Sequence, residues 1–320
     1  FDAHILGLAR DQGAGVIQER VTGVNLNGGK PTLTTRSGET EPYDLLVVAT
    51  GINTAFLKLF EKQNTGYRPP KLVQASICEF RLGRWMIERH LGNAMHVFLL
   101  NIPRLEFAAI IPKGDYVTVC LLGEDVDKKL VDEFMNTPEV KACFPAGWSP
   151  DARSCLCSPR ISTAGARHPY GDRFVFIGDC GVTRLYTDGI GAAYRTAKAA
   201  AMTAVLQGIS AEDFAEHYDP ACHRIENDNL IGKFVFFVTR QIQRRRFTRR
   251  AVLRMTANEQ TADPTKRQLS TVLWDTFTGS APYREILLRT FDPRFISRMC
   301  GNIVISLTTR HQTAAHLNEQ

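Results

Sequence analysis

The sequence has no apolar run long enough to cross a membrane as a helix. Its longest candidates, residues 45–49 and 234–238, are a few residues each, where a span takes about 20. It has no Cys-x-x-Cys pair, and eight cysteines (78, 120, 143, 155, 157, 180, 222 and 300) are too few in 320 residues for a disulfide framework. That points to a reducing cytoplasm and away from a structural zinc. The Gly-x-Gly-x-x-Gly signature of a phosphate-cradling turn is missing as well. His168, His217 and His223 stand alone, without a metal-ligand partner at helix or strand spacing, so no metal, catalytic acid or catalytic base is assigned. Acidic residues are absent from Asn229 to Asn258, where Lys233 and seven arginines (240, 244, 245, 246, 249, 250 and 254) hold a charge of +8. The net charge is +6, so the rest of the chain sums to −2 and the basicity is local.

With 44% hydrophobic and 22% charged residues, the chain can bury a large core, which excludes disordered and coiled-coil classes. Residues 1–12 carry a helical pattern. Strands are predicted at 16–26, 31–36 and 44–50, between turn clusters such as Asn27-Gly28-Gly29. The last of these is unbroken apolar, as in a parallel strand covered on both faces. A short helix follows at 53–61. Strands at 72–80, 95–101, 104–111 and 116–122 then read as a separate, largely antiparallel sheet. Helices are expected near 127–136 and 139–143, a strand at 154–163, and a second buried strand at 173–177. A helix at 189–206 holds seven alanines, and mostly helical chain runs from 211 onward.

Two segments carry chemistry. Strand 44–50 ends in Ala49-Thr50-Gly51, which puts a small hydroxyl and bare backbone at the carboxyl edge of a sheet, where nucleotides bind in open α/β folds. Strand 173–177 ends in Gly178-Asp179-Cys180, and Asp188-Gly189-Ile190-Gly191 then opens the alanine-rich helix. Gly178 admits close backbone approach, and Asp179 can accept hydrogen bonds from ribose-like hydroxyls. Asp188 is positioned as N-cap of a helix whose free N–H groups favour an electron-rich ligand edge.

An Ala-Thr-Gly strand followed, more than 100 residues on, by a strand ending in Gly-Asp and a Gly-x-Gly helix start resembles the FAD-binding domain of glutathione-reductase-like flavoproteins. Within these, the chain is similar to the geranylgeranyl reductase and aromatic hydroxylase branch. The resemblance implies a ribityl contact for Asp179, with Gly178 beside it, and Gly189, Ile190 and Gly191 near the flavin pyrimidine edge. It places Ala49, Thr50 and Gly51 near the adenosine and diphosphate. The stretch 107–119 is similar to the reductases' substrate-domain hairpin that covers the flavin. The sequence departs from the family in three ways. The glycine fingerprint falls upstream of Phe1 in the family pattern, so the chain is read as an N-terminally truncated fragment. Tyr186 stands near the place of a loop proline, and Cys180 stands where alanine is commoner. Cys180 reads as a buried filler or a redox group, and Cys155 and Cys157 as packing residues on one strand face. The absence of a second glycine fingerprint after Gly51 separates the chain from pyridine-nucleotide disulfide reductases.

The expected fold is α/β: a Rossmann-like FAD domain without its first βαβ unit, an inserted antiparallel β substrate domain, and a helical C-terminal region. The corresponding segments are 1–66 and 151–210 for the FAD domain, 67–150 for the insert and 211–320 for the helices. The resemblance implies FAD, with NAD(P)H as a possible electron donor, and a small apolar substrate. Three functions stand: hydride transfer from reduced flavin to an unsaturated, isoprenoid- or lipid-like substrate; flavin-dependent hydroxylation of an aromatic one; or a cofactor-free binding protein on the same fold. Ile231, Val235, Val238 and Ile242 recur at helical spacing, with arginines from Arg240 to Arg254 beyond them. This basic helix is either a peripheral contact with the inner face of a membrane or an ordinary surface helix; no nucleic-acid motif accompanies it. Trp274, Phe277, Tyr283 and Phe291 read as core anchors.

Overall fold

The computed structural model describes residues 1–52, 54–61, 63, 65–148 and 155–316. Helix α1 (Asp2–Asp11) leads into strands β1 (Gly23–Asn25), β2 (Thr32–Thr35) and β3 (Gly38–Glu39), an antiparallel meander. The predicted strand at 16–26 shrinks to β1 (Gly23–Asn25), extended at its start by the Thr22 N–H, which donates to the Thr34 carbonyl at 2.8 Å. Strand β4 (Leu46–Val48) follows, then α2 (Thr54–Glu61); Asn53, the predicted first residue of that helix, lies outside the described residues.

The chain next builds a six-stranded antiparallel sheet from β5 (Lys71–Arg81), β6 (His96–Val97), β7 (Leu105–Lys113), β8 (Tyr116–Gly123), β9 (Cys155–Cys157) and β10 (Arg160–Ala164). Its spine is the β7–β8 hairpin, turned by Gly114 at φ 63°. β9 and β10 both line one edge of β5, so the sheet continues past residue 150. Ser154, the predicted start of that strand, lies outside the described residues, as do the side chains of Cys155 and Leu156. The predicted strand at 95–101 shortens to His96 and Val97, with the Phe98 N–H still donating to the Ala108 carbonyl at 3.0 Å. Helix α3 (Arg84–His90), beyond the helices expected from the sequence, follows β5. Helices α4 (Lys128–Met135) and α5 (Pro138–Lys141) close the core beneath the sheet, with Leu130, Phe134 and Val140 fully buried against Ile110 and Leu121. The Asp127 carboxylate caps α4 by accepting from Leu130 N–H at 2.8 Å.

β11 (Tyr170–Gly171) and β12 (Phe174–Phe176) return the chain to β4, with β12 pairing parallel to it: Leu46 faces Phe174 and Val48 faces Phe176. The antiparallel sheet is thus inserted between two parallel neighbours, as the α/β reading requires. β12 is fully buried. β4 is the edge strand, and Val47 is 45% exposed, so the expectation that this strand is covered on both faces is corrected.

Helix α6 (Gly189–Leu206) matches the predicted span to the residue. α7 (Ala211–Asp213) continues through a π turn into α8 (Asp219–Arg244), followed by α9 (Arg246–Gln260), α10 (Gln268–Thr278), α11 (Tyr283–Thr290) and α12 (Pro293–His316). The basic stretch from Arg240 to Arg254 is therefore two helices, broken where Arg245 turns extended (φ −113°, ψ 121°). Ile231 and Ile242 flank the core, whereas Gly232 and Phe236 form the buried face of α8. Tyr283 is a fully buried anchor. Trp274 (57% exposed) and Phe291 (61%) are not, which corrects the reading of both as core residues. Among the described residues, no helix is long and apolar enough to cross a membrane.

Candidate flavin site

The carboxyl ends of β4 and β12 lie side by side because the strands are parallel neighbours, so the two sequence segments singled out for chemistry meet there. Cys180 joins them: its thiol donates to the Val48 carbonyl at 3.2 Å. Burial pushes this thiol's pKa up, while the backbone N–H groups of Thr50 and Gly51 act on the same sulfur in the opposite sense. A fully buried thiol held protonated is a packing group, and this supports the filler reading of Cys180. The Cys180 carbonyl accepts from Tyr67 O–H at 2.7 Å, and the Tyr67 ring stacks on Phe176 with centroids 3.8 Å apart. The floor under both strand ends is therefore rigid. Ala49 and Thr50 are exposed above it. Gly51 (φ 58°) has nothing within 4 Å of where a Cβ would stand.

Gly178 sets the distance of α6. Its φ of 65° belongs to glycine, its N–H donates to Thr196 Oγ1 at 2.9 Å, and a Cβ there would stand 3.3 Å from Ala193 Cβ. Small residues on α6, with Ala192 and Thr196 fully buried, complete this close approach. Asp188 caps the helix as expected: its Oδ1 accepts from Gly191 N–H at 3.1 Å. A side chain at Gly191 would collide with that carboxylate, so this glycine serves the cap. Among the described residues, the N–H groups of Gly189 and Ile190 have no hydrogen-bond partner, nor has the half-buried Asp179 carboxylate. Asp179 Oδ1 lies 3.7 Å from the point where a Gly189 Cβ would stand. Ile190 is 69% exposed on the helix surface beside them.

An acceptor-only carboxylate next to two unpaired N–H donors at a positive helix end fits the hydroxylated ribityl chain and the electron-rich ring edge of a flavin. Open backbone at Thr50 and Gly51 leaves room for the nucleotide end. These residues fit FAD as a side wall and floor; none of them forms a diphosphate cradle.

The loop between the 3-10 turn Gly178–Cys180 and α6 is pinned from the C-terminal helices by residues that sequence reading misses. Buried Asn229 accepts from Leu185 N–H at 2.8 Å and donates to the Thr183 carbonyl at 2.9 Å. Tyr283 O–H donates to the Leu185 carbonyl at 2.5 Å, and the Arg184 guanidinium lies 4.3 Å from the Tyr283 ring centroid. Tyr186, in the left-handed region at φ 64°, donates to Glu106 Oε2 at 3.1 Å, and Arg240 holds the other oxygen of that carboxylate. Glu106 on β7 thus ties the hairpin to the loop that leads into α6. Beside it, Leu100, Ile102, Glu106, Phe237, Arg240 and Arg244 line a cleft of about 290 Å³. Phe107 stacks on Phe277 with centroids 4.6 Å apart. One sequence signal for Asn229 exists: it shares helical spacing with Gly232, Phe236 and Gln243, the buried face of α8.

No protein-family model matches the chain, and no curated protein does. Among solved structures it is similar to a triple mutant of the flavin-dependent brominase Bmp2 (TM-score 0.54, 16% identity, 90% of this chain and 73% of that one). It is similar to a mutant of halogenase PltM in complex with FAD (0.53, 12%, 98% and 68%). It is also similar to QhpG, a peptidyl tryptophan dihydroxylase (0.52, 16%, 75% and 55%). The chain thus spans between 55% and 73% of the length of these structures. At such identities the likeness establishes the fold, that of FAD-binding flavoenzymes, without singling out the reductase branch.

Proposed function

We propose that the chain is an FAD-dependent oxidoreductase acting on an apolar substrate. The observation that carries this reading is the unpartnered Asp179 carboxylate beside the free N–H groups of Gly189 and Ile190, at the shared end of two parallel strands. Asp179 would accept hydrogen bonds from ribityl hydroxyls, and the free N–H groups of Gly189 and Ile190 would hold the electron-rich ring edge. Thr50 and Gly51 would leave room for the nucleotide end. The redox chemistry comes from FAD when it is bound: two electrons taken from a nicotinamide or another donor and passed to oxygen or to an unsaturated bond. The chain itself supplies orientation. Tyr186, Glu106 and Arg240 hold the β7–β8 hairpin against the loop entering α6, and the ring pairs Phe107–Phe277 and Tyr186–Phe236 present aromatic surface on that side.

Oxidation of an aromatic substrate is favoured by the similar structures, a brominase, a halogenase and a tryptophan dihydroxylase. Reduction of an unsaturated chain is the second reading, favoured by the hairpin motif at 107–119, which forms a β7–β8 hairpin. An assay with chemically reduced FAD, run under air and under argon with an indole and with a polyprenyl substrate, separates them. Oxygen-dependent conversion of the indole is the expected result. Turnover confined to the polyprenyl substrate under argon would assign the reductase, and turnover of neither under either atmosphere would count against both.

A further inference from the structure

We infer that the exposed face of α8 and the arginines at the α8–α9 junction form a docking surface for an anionic lipid bilayer. Leu230 (62% exposed), Phe234 (51%), Phe237 (49%) and Val238 (39%) recur at the spacing of one helix face, opposite the buried Gly232 and Phe236. Single exposed apolar residues mean nothing, but four large ones in two turns form a patch. Lys233 and Arg244 share that face, and Arg245, Arg246 and Arg250 are exposed just beyond it. None of these five cations has an ion-pair partner among the described residues. The neighbouring Arg240 is occupied by Glu106, and Arg249 donates to the Gln243 carbonyl. Residues 229–258 contain no acid, and among the described residues the carboxylates bordering the face across the cleft are Glu106, paired with Arg240, and Glu124.

Charge complementarity and the apolar patch together select the occupant. A helix lying in a bilayer interface buries its apolar side at the acyl boundary while cations ring it at headgroup depth, and acidic lipids supply a uniform negative surface. A nucleic-acid backbone would satisfy the arginines but leave Leu230 and Val238 in water. Phe237, Arg240 and Arg244 also line the 290 Å³ cleft, so the docking face borders that opening.

The test is co-sedimentation of the full chain with vesicles of phosphatidylcholine alone or mixed with phosphatidylglycerol. The chain is expected to pellet with the mixed vesicles, not with phosphatidylcholine, and to be released when salt is raised from about 0.1 to about 0.5 M. Phe234→Ser/Phe237→Ser and Arg244→Gln/Arg245→Gln/Arg246→Gln are each expected to weaken partitioning by about tenfold or more with an unchanged melting temperature, since these side chains are on the surface. Three results would overturn the inference: no pelleting with either vesicle; a phenylalanine variant that binds like the parent while both retain equal affinity for duplex DNA; or a dimer in gel filtration that the phenylalanine variant dissolves.

Discussion

Gly178→Val is expected to destabilise the protein by about 3 kcal/mol or more and to abolish flavin uptake. The backbone at 178 has φ 65°, a region that costs an L-residue about 1–2 kcal/mol and is an outlier for a branched one. The added Cβ would already stand 3.3 Å from Ala193 Cβ, so the two methyls of valine have no room unless α6 retreats. Overpacking of this kind costs about 1–3 kcal/mol. The retreat would break the Gly178 N–H bond to Thr196 and separate Asp179 from the helix start. Gly178→Ala is the graded control: it carries the backbone strain and one tight contact, and should lose about 1–2 kcal/mol. Urea unfolding of the three proteins measures the series. Equal stability of Gly178→Val and the parent would mean that α6 does not rest on this glycine.

Asn229→Ala is expected to cost about 3–5 kcal/mol, although the residue touches neither strand end. Its side chain is 6% exposed, and both of its polar atoms are used, one by Leu185 N–H and one by the Thr183 carbonyl. Truncation strands two buried backbone groups, each worth about 1–3 kcal/mol, and opens a small cavity. Asn229→Asp keeps the acceptor for Leu185 but sets a carboxylate against the Thr183 carbonyl, so it should rescue little. The loop 181–188 carries the Asp188 cap, and loosening it should reduce flavin affinity in parallel with stability. A variant that unfolds at the parent's midpoint would remove Asn229 from the account.

The parts of the fold legible in the sequence are those fixed by local chemistry. Helix α6 begins at Gly189 because Asp188 can cap it, and cap and glycines are both visible in the sequence. The apolar runs at β4 and β12 have the composition of parallel strands, and they pair. Pairing itself is not local. Residues 16–21 and 99–101 have strand composition yet extend no strand, since the ladders beside them end with single backbone bonds from Thr22 and Phe98. The break at Arg245 falls among residues with no glycine or proline to announce it. On α8, hydropathy pointed to Ile231, Val235, Val238 and Ile242. The buried face instead runs through Asn229 and Gly232, where a side-chain amide pins a loop and a bare backbone admits the Tyr283 ring. Trp274 shows the converse: aromatic character alone does not decide burial. At the candidate site, the order of the Asp179 and α6-start motifs is legible in the sequence. The ties through Glu106, Tyr186 and Asn229 were not, because each links residues at least 40 positions apart in the chain.

The central claim is that Asp179 and the α6 start form one wall of an FAD site. It is tested most directly by titrating FAD into the purified protein, alongside Asp179→Ala and Asp179→Asn, following visible absorption and flavin fluorescence. The parent is expected to bind FAD. Asp179→Ala should weaken binding by about tenfold to a hundredfold, as loss of hydrogen bonds to a charged acceptor implies, without a change in melting temperature. Asp179→Asn should fall between the two. A parent protein that takes up no FAD, or an Asp179→Ala variant that binds it as tightly, would contradict the account.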